Sequence, residues 1–412
     1  MKIQHFFKRV CLFLLALTLF ACGGGGGGGS GNSSTSGNTP TPDTPAPIPD
    51  YMSSNIAANA ISFSIQKSSG NNVNAPFVSV TICQPGTSQC QTIGNILLDT
   101  GSSGLRVLSS ALGSLQLSTQ TNNNLPVLEC ASFLSGLTWG PVKTADVKMS
   151  SEIASSIPIQ VIGDPNYQTA PNNNCNGLPI LQDPSGLKAN GILGVSLRVS
   201  DSQNYFSCSG NQNSSCQLIT QVSSLQVQNP VASFAVDNNG LVMQLQTISA
   251  SGANSATGTL YFGVDTQTNN SSSGASIIPT NSNGYFTTTF NGLSYRNSFI
   301  DSGSNGLFFP VGSQSSILKT CSLSTSFYCP TTTQNYSATV ALKNNGVGTI
   351  NFSVANADSL FATNNYAFSN LAGNEPSLFD WGIPFFYGKT VFFGIAGKLS
   401  TNAGTGPYYG YR

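Results

Sequence analysis

Leu97-Leu98-Asp99-Thr100-Gly101-Ser102-Ser103-Gly104-Leu105 returns 202 residues later as Phe299-Ile300-Asp301-Ser302-Gly303-Ser304-Asn305-Gly306-Leu307. In each copy two apolar residues lead into Asp, then Thr or Ser, then Gly, then Ser. This predicts a buried strand ending in a tight turn that presents a carboxylate. Glycine lets the backbone approach closely, and the hydroxyls of Thr100, Ser102, Ser302 and Ser304 can hydrogen-bond the acids. A single turn of this kind would mean little, because Asp and Gly are ordinary turn residues. Two copies in a chain with only 15 acidic residues are different. Two carboxyls brought face to face share a proton, and their affinities split apart. One can then take a proton from water while the other gives one to a carbonyl oxygen.

The texture around both copies is β. Short apolar runs are broken by Gly, Asn, Ser and Pro from Ile61 onward. Strands are expected at Phe77 to Ile82, returning at Ile93 to Leu98, and at Ile157 to Ile162. Further strands are expected at Gly258 to Val264, Tyr285 to Phe290, Ala338 to Leu342, Thr349 to Val354 and Thr390 to Phe393. Helical periodicity is scarce, with short helices expected near Ser109–Leu115 and Cys216–Leu225. The class is therefore all-β, of sandwich or barrel type. An outer-membrane barrel is disfavoured, since alternation does not repeat in segments of about ten residues.

Composition excludes whole classes of chemistry. Of 412 residues only 7% are charged, and the formal net charge is +0. Lys and Arg together number 15, with no basic run, so nucleic acid is not an expected partner. The one histidine is His5, in a segment expected to be removed. That leaves no Ser-His-Asp triad, no Cys-His pair and no histidine zinc site. No cofactor and no metal are expected. Gly388-Lys389-Thr390 lacks the upstream glycine of a phosphate loop. Ser316 and Lys319 have the spacing of penicillin-binding enzymes without the accompanying motifs.

The N-terminus reads as an address. Lys2, Lys8 and Arg9 precede an apolar run from Val10 to Phe20, too short to span a bilayer. It ends in Leu19-Phe20-Ala21-Cys22, which resembles the bacterial lipobox, where the cysteine becomes the lipidated first residue. Residues 1–21 are expected to be a signal peptide and 22–55 a flexible tether, opened by seven glycines, Gly23 to Gly29. The membrane would be met through the lipid alone, at the cell envelope, with the outer membrane as the expected site. The chain is expected to be a monomer. Removal of residues 1–21 leaves 12 basic against 15 acidic side chains. Eight cysteines remain after Cys22, and an oxidising compartment would join them. Spacing pairs Cys83 with Cys90, Cys208 with Cys216 and Cys321 with Cys329, and elimination pairs Cys130 with Cys175.

With both turns in hand, the chain resembles the pepsin-type, two-lobed aspartic proteases, whose lobes each carry a D-[TS]-G-[ST] turn. Asp99 to Ser102 and Asp301 to Ser304 match it. The resemblance covers most of the body and implies lobes at 56–235 and 236–412. It implies catalytic roles for Asp99 and Asp301, supported by Thr100, Gly101, Ser102, Ser302, Gly303 and Ser304. It places a β-hairpin flap at Phe133 to Gly140, with Arg106, Phe133 and Gly136 as the flap and substrate residues. Asn190-Gly191-Ile192-Leu193-Gly194-Val195 and Trp381-Gly382-Ile383-Pro384-Phe385-Phe386 resemble the crossing strands of the two lobes. Ser103 to Val107 and Trp381 to Gly388 are closer still to a family of bacterial exported proteins known as a domain of unknown function.

Three positions depart from the pepsin pattern. Arg106 replaces a tryptophan and Phe133 the flap tyrosine, so the hydrogen bond between those two is lost. Asp380 stands where an aliphatic is expected. Arg106 is expected either to lie over the Phe133 ring as a cation–π pair that holds the flap, or to point to solvent or pair with an acid. Two functions stay open: an endopeptidase acting on extended peptides between the lobes, and an inactive module binding peptide or glycan there.

Overall fold

The computed structural model describes residues 57–67, 72–171, 175, 177–210, 215–220, 223–312 and 316–412. The signal peptide, Cys22 and the tether lie outside the described residues. Residues Asp50–Arg412 form one compact unit.

Strands dominate, and the expected ones are present. Pro76–Cys83 and Cys90–Asp99 form the first hairpin, closed by the Cys83–Cys90 disulfide. Their inward residues Val78, Val80, Ile82, Ile93, Ile96 and Leu98 are all buried; alternation is period-two except between Ile93 and Ile96, where a register shift restores the inward face. Ser109–Ala111 is a short 3₁₀ turn. The helix expected at Cys216–Leu225 is not what forms at its start. Cys216–Leu218 is a strand paired antiparallel with Asn204–Cys208, because the Cys208–Cys216 disulfide joins residues directly opposite each other. The other bridges are Cys130–Cys175 and Cys321–Cys329, with Cα separations of 5.8 and 4.8 Å. Three pairs agree with the spacing and the fourth with elimination, and none links the two halves of the chain. Peptide mapping without reductant is expected to return these four pairs; a bridge between the halves would contradict the structure.

Each Asp turn sits in the same arrangement of strands. Cys90–Asp99 runs parallel to Gly191–Val195, with Leu98 beside Leu193 and Asp99 beside Gly194. Gly191–Val195 is flanked on its other side, antiparallel, by Ser103–Leu108. Ser103–Leu108 in turn runs parallel to Glu152–Ile162. In the second half, Leu293–Ile300 runs parallel to Asp380–Trp381, with Ile300 beside Trp381. Asp380–Trp381 is flanked antiparallel by Leu307–Phe309, which runs parallel to Ala372–Asn374. Both times the chain leaves a strand, turns through Asp-Thr/Ser-Gly-Ser, and returns on the far side of a crossing strand. This duplicated crossing is the signature of a two-lobed, pepsin-like β fold. A glycine is required at each crossing: a Cβ on Gly194 would lie 2.8 Å from Ser102 Oγ, and one on Gly382 2.1 Å from Gly306 O.

The two halves share a sheet and a core. Ala60–Ile65 pairs antiparallel with Ala256–Phe262, which carries the sheet from one half into the other. The second half is centred on aromatic rings, with Phe379 stacked 4.4 Å from Trp381 and 5.0 Å from Phe309. Trp139 and Trp381 are both buried, and Trp381 Nε1 donates to Thr288 Oγ1 at 3.0 Å.

Candidate active site

The two turns interlock through their backbones. Ser302 N donates to Thr100 Oγ1 at 2.8 Å, and Thr100 N donates to Ser302 Oγ at 3.1 Å. Ser302 Oγ also donates to Leu98 O at 2.7 Å. Thr100 and Ser302 are almost wholly buried, so this grip satisfies amide N–H groups that water does not reach. Ser302→Ala is therefore expected to strip partners from Thr100 N and Leu98 O. Each buried group left unpaired costs about 1–3 kcal/mol. Urea denaturation should show the loss, and Ser302→Thr should avoid it.

The grip holds the two carboxyls together. Gly101 N and Ser102 N donate to Asp99 Oδ1 at 2.8 and 3.2 Å, and Ser102 Oγ donates to Asp99 Oδ2. Gly303 N donates to Asp301 Oδ1 at 2.7 Å. Ser304 Oγ lies 3.0 Å from Asp301 Oδ2. The Asp99 and Asp301 carboxyls lie side by side, close enough that each bears on the other's hold on a proton. The contact depends on glycine. A Cβ on Gly101 would fall 2.6 Å from Asp301 Cγ, and one on Gly303 2.7 Å from Asp99 Oδ1. Gly101 is exposed and Asp301 partly so, which leaves the pair open to solvent on that side. Burial, and then the negative neighbour Asp99, hold the Asp301 carboxyl well above the usual range. Asp301 therefore holds a proton more readily than an isolated carboxyl does.

Arg106 lies behind the first turn, fully buried. Its Nη1 donates to Ser103 O at 2.9 Å, which ties it to the turn's own chain. Its Nη2 pairs with Glu129 Oε1 at 2.5 Å and with Asp201 Oδ2. Tyr205 completes the group, donating to Asp201 Oδ1 at 2.7 Å and accepting from Val227 N. The guanidinium carbon also stands 5.6 Å from the centre of the Phe133 ring. Arg106 thus pairs with acids and faces the aromatic ring at once, and it does not point to solvent. Phe133 and Gly136 close the tip of the hairpin formed by Leu125–Phe133 and Gly136–Met149. The tip residue Leu134 is exposed. A Cβ on Gly136 would lie 2.5 Å from Pro179 O, because the 179–181 segment pairs there with Leu137. On the hairpin's other side, Asn204–Cys208 pairs with its first strand.

Glu129, Asp201 and Tyr205 were not expected from the sequence. An arginine inside the apolar run Leu105-Arg106-Val107-Leu108 does require buried counter-charge, but spacing does not say which acids supply it. Asp380 was visible as a departure. The structure buries it beside the pair: Ser304 Oγ, already at Asp301, lies 2.6 Å from Asp380 Oδ2.

Carboxyl titration sets an expected pH dependence. Burial above all holds Glu129, Glu152, Asp301 and Asp380 above the usual range, in Glu129 against the pull of Arg106. A carboxyl raised on folding binds its proton more tightly in the native state. Its contribution is fully present below the unfolded value of about 4 and is lost as pH rises through the folded value. Asp183, lowered by its hydrogen bond from Ser185, and Asp265, lowered by hydrogen bonds from Ser272 and Asn402, act in the opposite sense and at lower pH. The melting temperature is thus expected to fall from mildly acidic to alkaline pH. A melting temperature that rises over that interval would contradict the assignment.

The fold and the site together define an all-β, two-lobed protein of pepsin-like architecture with two carboxyls in contact at its centre. The family model described as "Protein of unknown function (DUF3443)" matches residues 55–411, and the chain belongs to that family. No curated protein matches it. Among solved structures, the chain is similar to the crystal structure of aspartic proteinase from Irpex lacteus, at 14% identity and a TM-score of 0.46. That similarity covers 85% of this chain and 96% of the other. It is distant, and the two-lobed reading rests on the duplicated strand crossing described above.

Proposed function

We propose that the chain is a cell-envelope aspartic endopeptidase that hydrolyses extended peptides at Asp99 and Asp301. The observation that supports this most is the adjacent carboxyl pair, clamped by the reciprocal Thr100–Ser302 bonds. Asp99 is the group that takes a proton from the attacking water. Asp301, whose carboxyl holds a proton more tightly than usual, gives one to the carbonyl oxygen of the scissile bond. No covalent intermediate is needed. Cys22 carries the lipid, and residues 22–55 give the folded unit reach from the membrane.

A statine-type inhibitor tests the reading without a known substrate, because its hydroxyl mimics the tetrahedral oxygen between two carboxyls. Calorimetry of the purified mature protein should show binding at acidic pH that is lost in Asp99→Asn. Binding of unmodified peptides by both proteins alike, with no cleavage and no inhibitor preference, would instead identify a binding module.

A further inference from the structure

Asp380 is not part of the Asp99–Asp301 pair, yet one hydroxyl joins it to that pair. Ser304 Oγ lies within hydrogen-bond distance of two carboxyl oxygens, Asp301 Oδ2 at 3.0 Å and Asp380 Oδ2 at 2.6 Å. A serine hydroxyl has one proton. It can donate to one of these oxygens only, so the other carboxyl must be protonated and donate to it. Two directions satisfy the count. In one, Asp380 donates to Ser304 and Ser304 to Asp301. In the other, Asp301 donates to Ser304, Ser304 donates to an ionised Asp380, and the proton of the pair is drawn away from Asp99.

The surroundings of Asp380 choose between them. It is 3% exposed, no cation pairs with it among the described residues, and its Oδ1 has no hydrogen-bond partner. An ionised carboxylate with a bare buried oxygen is far costlier than a neutral acid with an unpaired carbonyl. The groups that face it add to this. Asp301, Glu375 and Asp99 are acids, and the nearby phenol of Tyr409 is buried. The first half of the molecule serves as an internal control. There Ser102 donates to Asp99 Oδ2 as Ser304 does to Asp301 Oδ2. The place corresponding to Asp380 is Ile192: Ile192 sits beside Leu97 and Arg106, as Asp380 sits beside Phe299 and Phe308. Only the Asp301 side has an acid behind its serine.

We propose that Asp380 is a positioning residue of the site: a neutral carboxylic acid whose donation through Ser304 to Asp301 Oδ2 keeps the proton of Asp301 directed at Asp99. The hydrogen bonds then run in one direction, Asp380 to Ser304 to Asp301 to Asp99, and no net proton is moved. Within the endopeptidase reading, on which its functional meaning rests, this fixes Asp301 as the member that protonates the substrate. It also steadies the Asp301 carboxylate left behind.

The test does not require catalysis. The mature protein labelled with ¹³C at the aspartate carboxyl carbons is titrated by NMR, alongside Asp380→Asn, Asp380→Leu and Ser304→Ala, with Asp301→Asn for assignment. One carboxyl is expected to remain protonated after Asp301 has ionised, and its signal should be missing from both Asp380 variants. In Asp380→Asn, whose amide still donates to Ser304, the Asp301 midpoint should stay in place. In Asp380→Leu it should rise by a few tenths of a pH unit, because a polarised chain to its anion is lost. In Ser304→Ala, Asp380 should remain protonated while Asp301 moves up. A midpoint that falls in Asp380→Leu would mean that a negative neighbour had been removed, and would overturn the proposal. So would the absence of a persistent protonated carboxyl in the unsubstituted protein, a result that depends on no variant folding. These signals can be present in a protein that cleaves nothing, so failure of the endopeptidase reading and failure of this one are separable.

Discussion

Arg106→Met is expected to destabilise the protein by about 3–5 kcal/mol, the range for removing one member of a buried ion pair. The guanidinium is the one positive charge in a buried group that also holds Glu129, Asp201 and Tyr205. Without it, Asp201 keeps the Tyr205 hydroxyl but loses its counter-charge. Ser103 O, at the end of the first Asp turn, loses a donor. The contact with the Phe133 ring is lost as well, so the hairpin tip should become more mobile than the rest of the sheet. Guanidinium denaturation of the variant measures the first effect, and hydrogen exchange across residues 125–149 measures the second. The origin of the cost can be isolated. Replacing the acids along with the arginine, as Arg106→Met with Glu129→Met and Asp201→Asn, is expected to recover much of the stability, since no uncompensated charge is then left buried. A single substitution that costs well under 1 kcal/mol would show that the group is not the buried network described.

Gly101→Ala is expected to leave the fold nearly intact and to reduce cleavage on the order of 100-fold, the scale of an ångström-sized misplacement of reacting groups. The added methyl falls within 2.6 Å of the Asp301 carboxyl, closer than any real contact. The least costly response is for the two carboxyls to part, and the shared proton is then lost. Peptide turnover by the variant, set beside its circular dichroism and melting curve, checks both halves of this expectation. Full turnover in Gly101→Ala would mean that contact between the carboxyls is not required.

The turn at Asp99 and its copy at Asp301 were legible because the duplication is local: nine residues in each copy carry the apolar lead, the acid, the glycine and the hydroxyls. The strands around them were legible for the same reason, through alternation and flanking turn residues. Three of the four disulfides close loops of seven or eight residues, and the fourth followed by elimination. What did not show was whatever depends on a distant partner. Arg106 meets Glu129 and Asp201, 23 and 95 positions further along, and no periodicity links them. Cys216–Leu218 carries no strand signal of its own; its pairing is imposed by Cys208 across the disulfide. Asp380 was conspicuous as an acid in an apolar run, yet its role depends on Ser304, 76 positions earlier, standing between two carboxyls. Local chemistry was readable from sequence, and long-range polar pairing was not.

The central claim is that Asp99 and Asp301 act as one catalytic unit. Its most direct test is incubation of the purified mature protein with a mixed peptide library from about pH 3 to 7, with cleavage sites read by mass spectrometry. Endoproteolytic cuts are expected on the acidic side of that range, blocked by a statine-type inhibitor and absent from both Asp99→Asn and Asp301→Asn, each still folded. Cleavage that persists in either variant, or no cleavage by the unsubstituted protein at any pH tested, would contradict it.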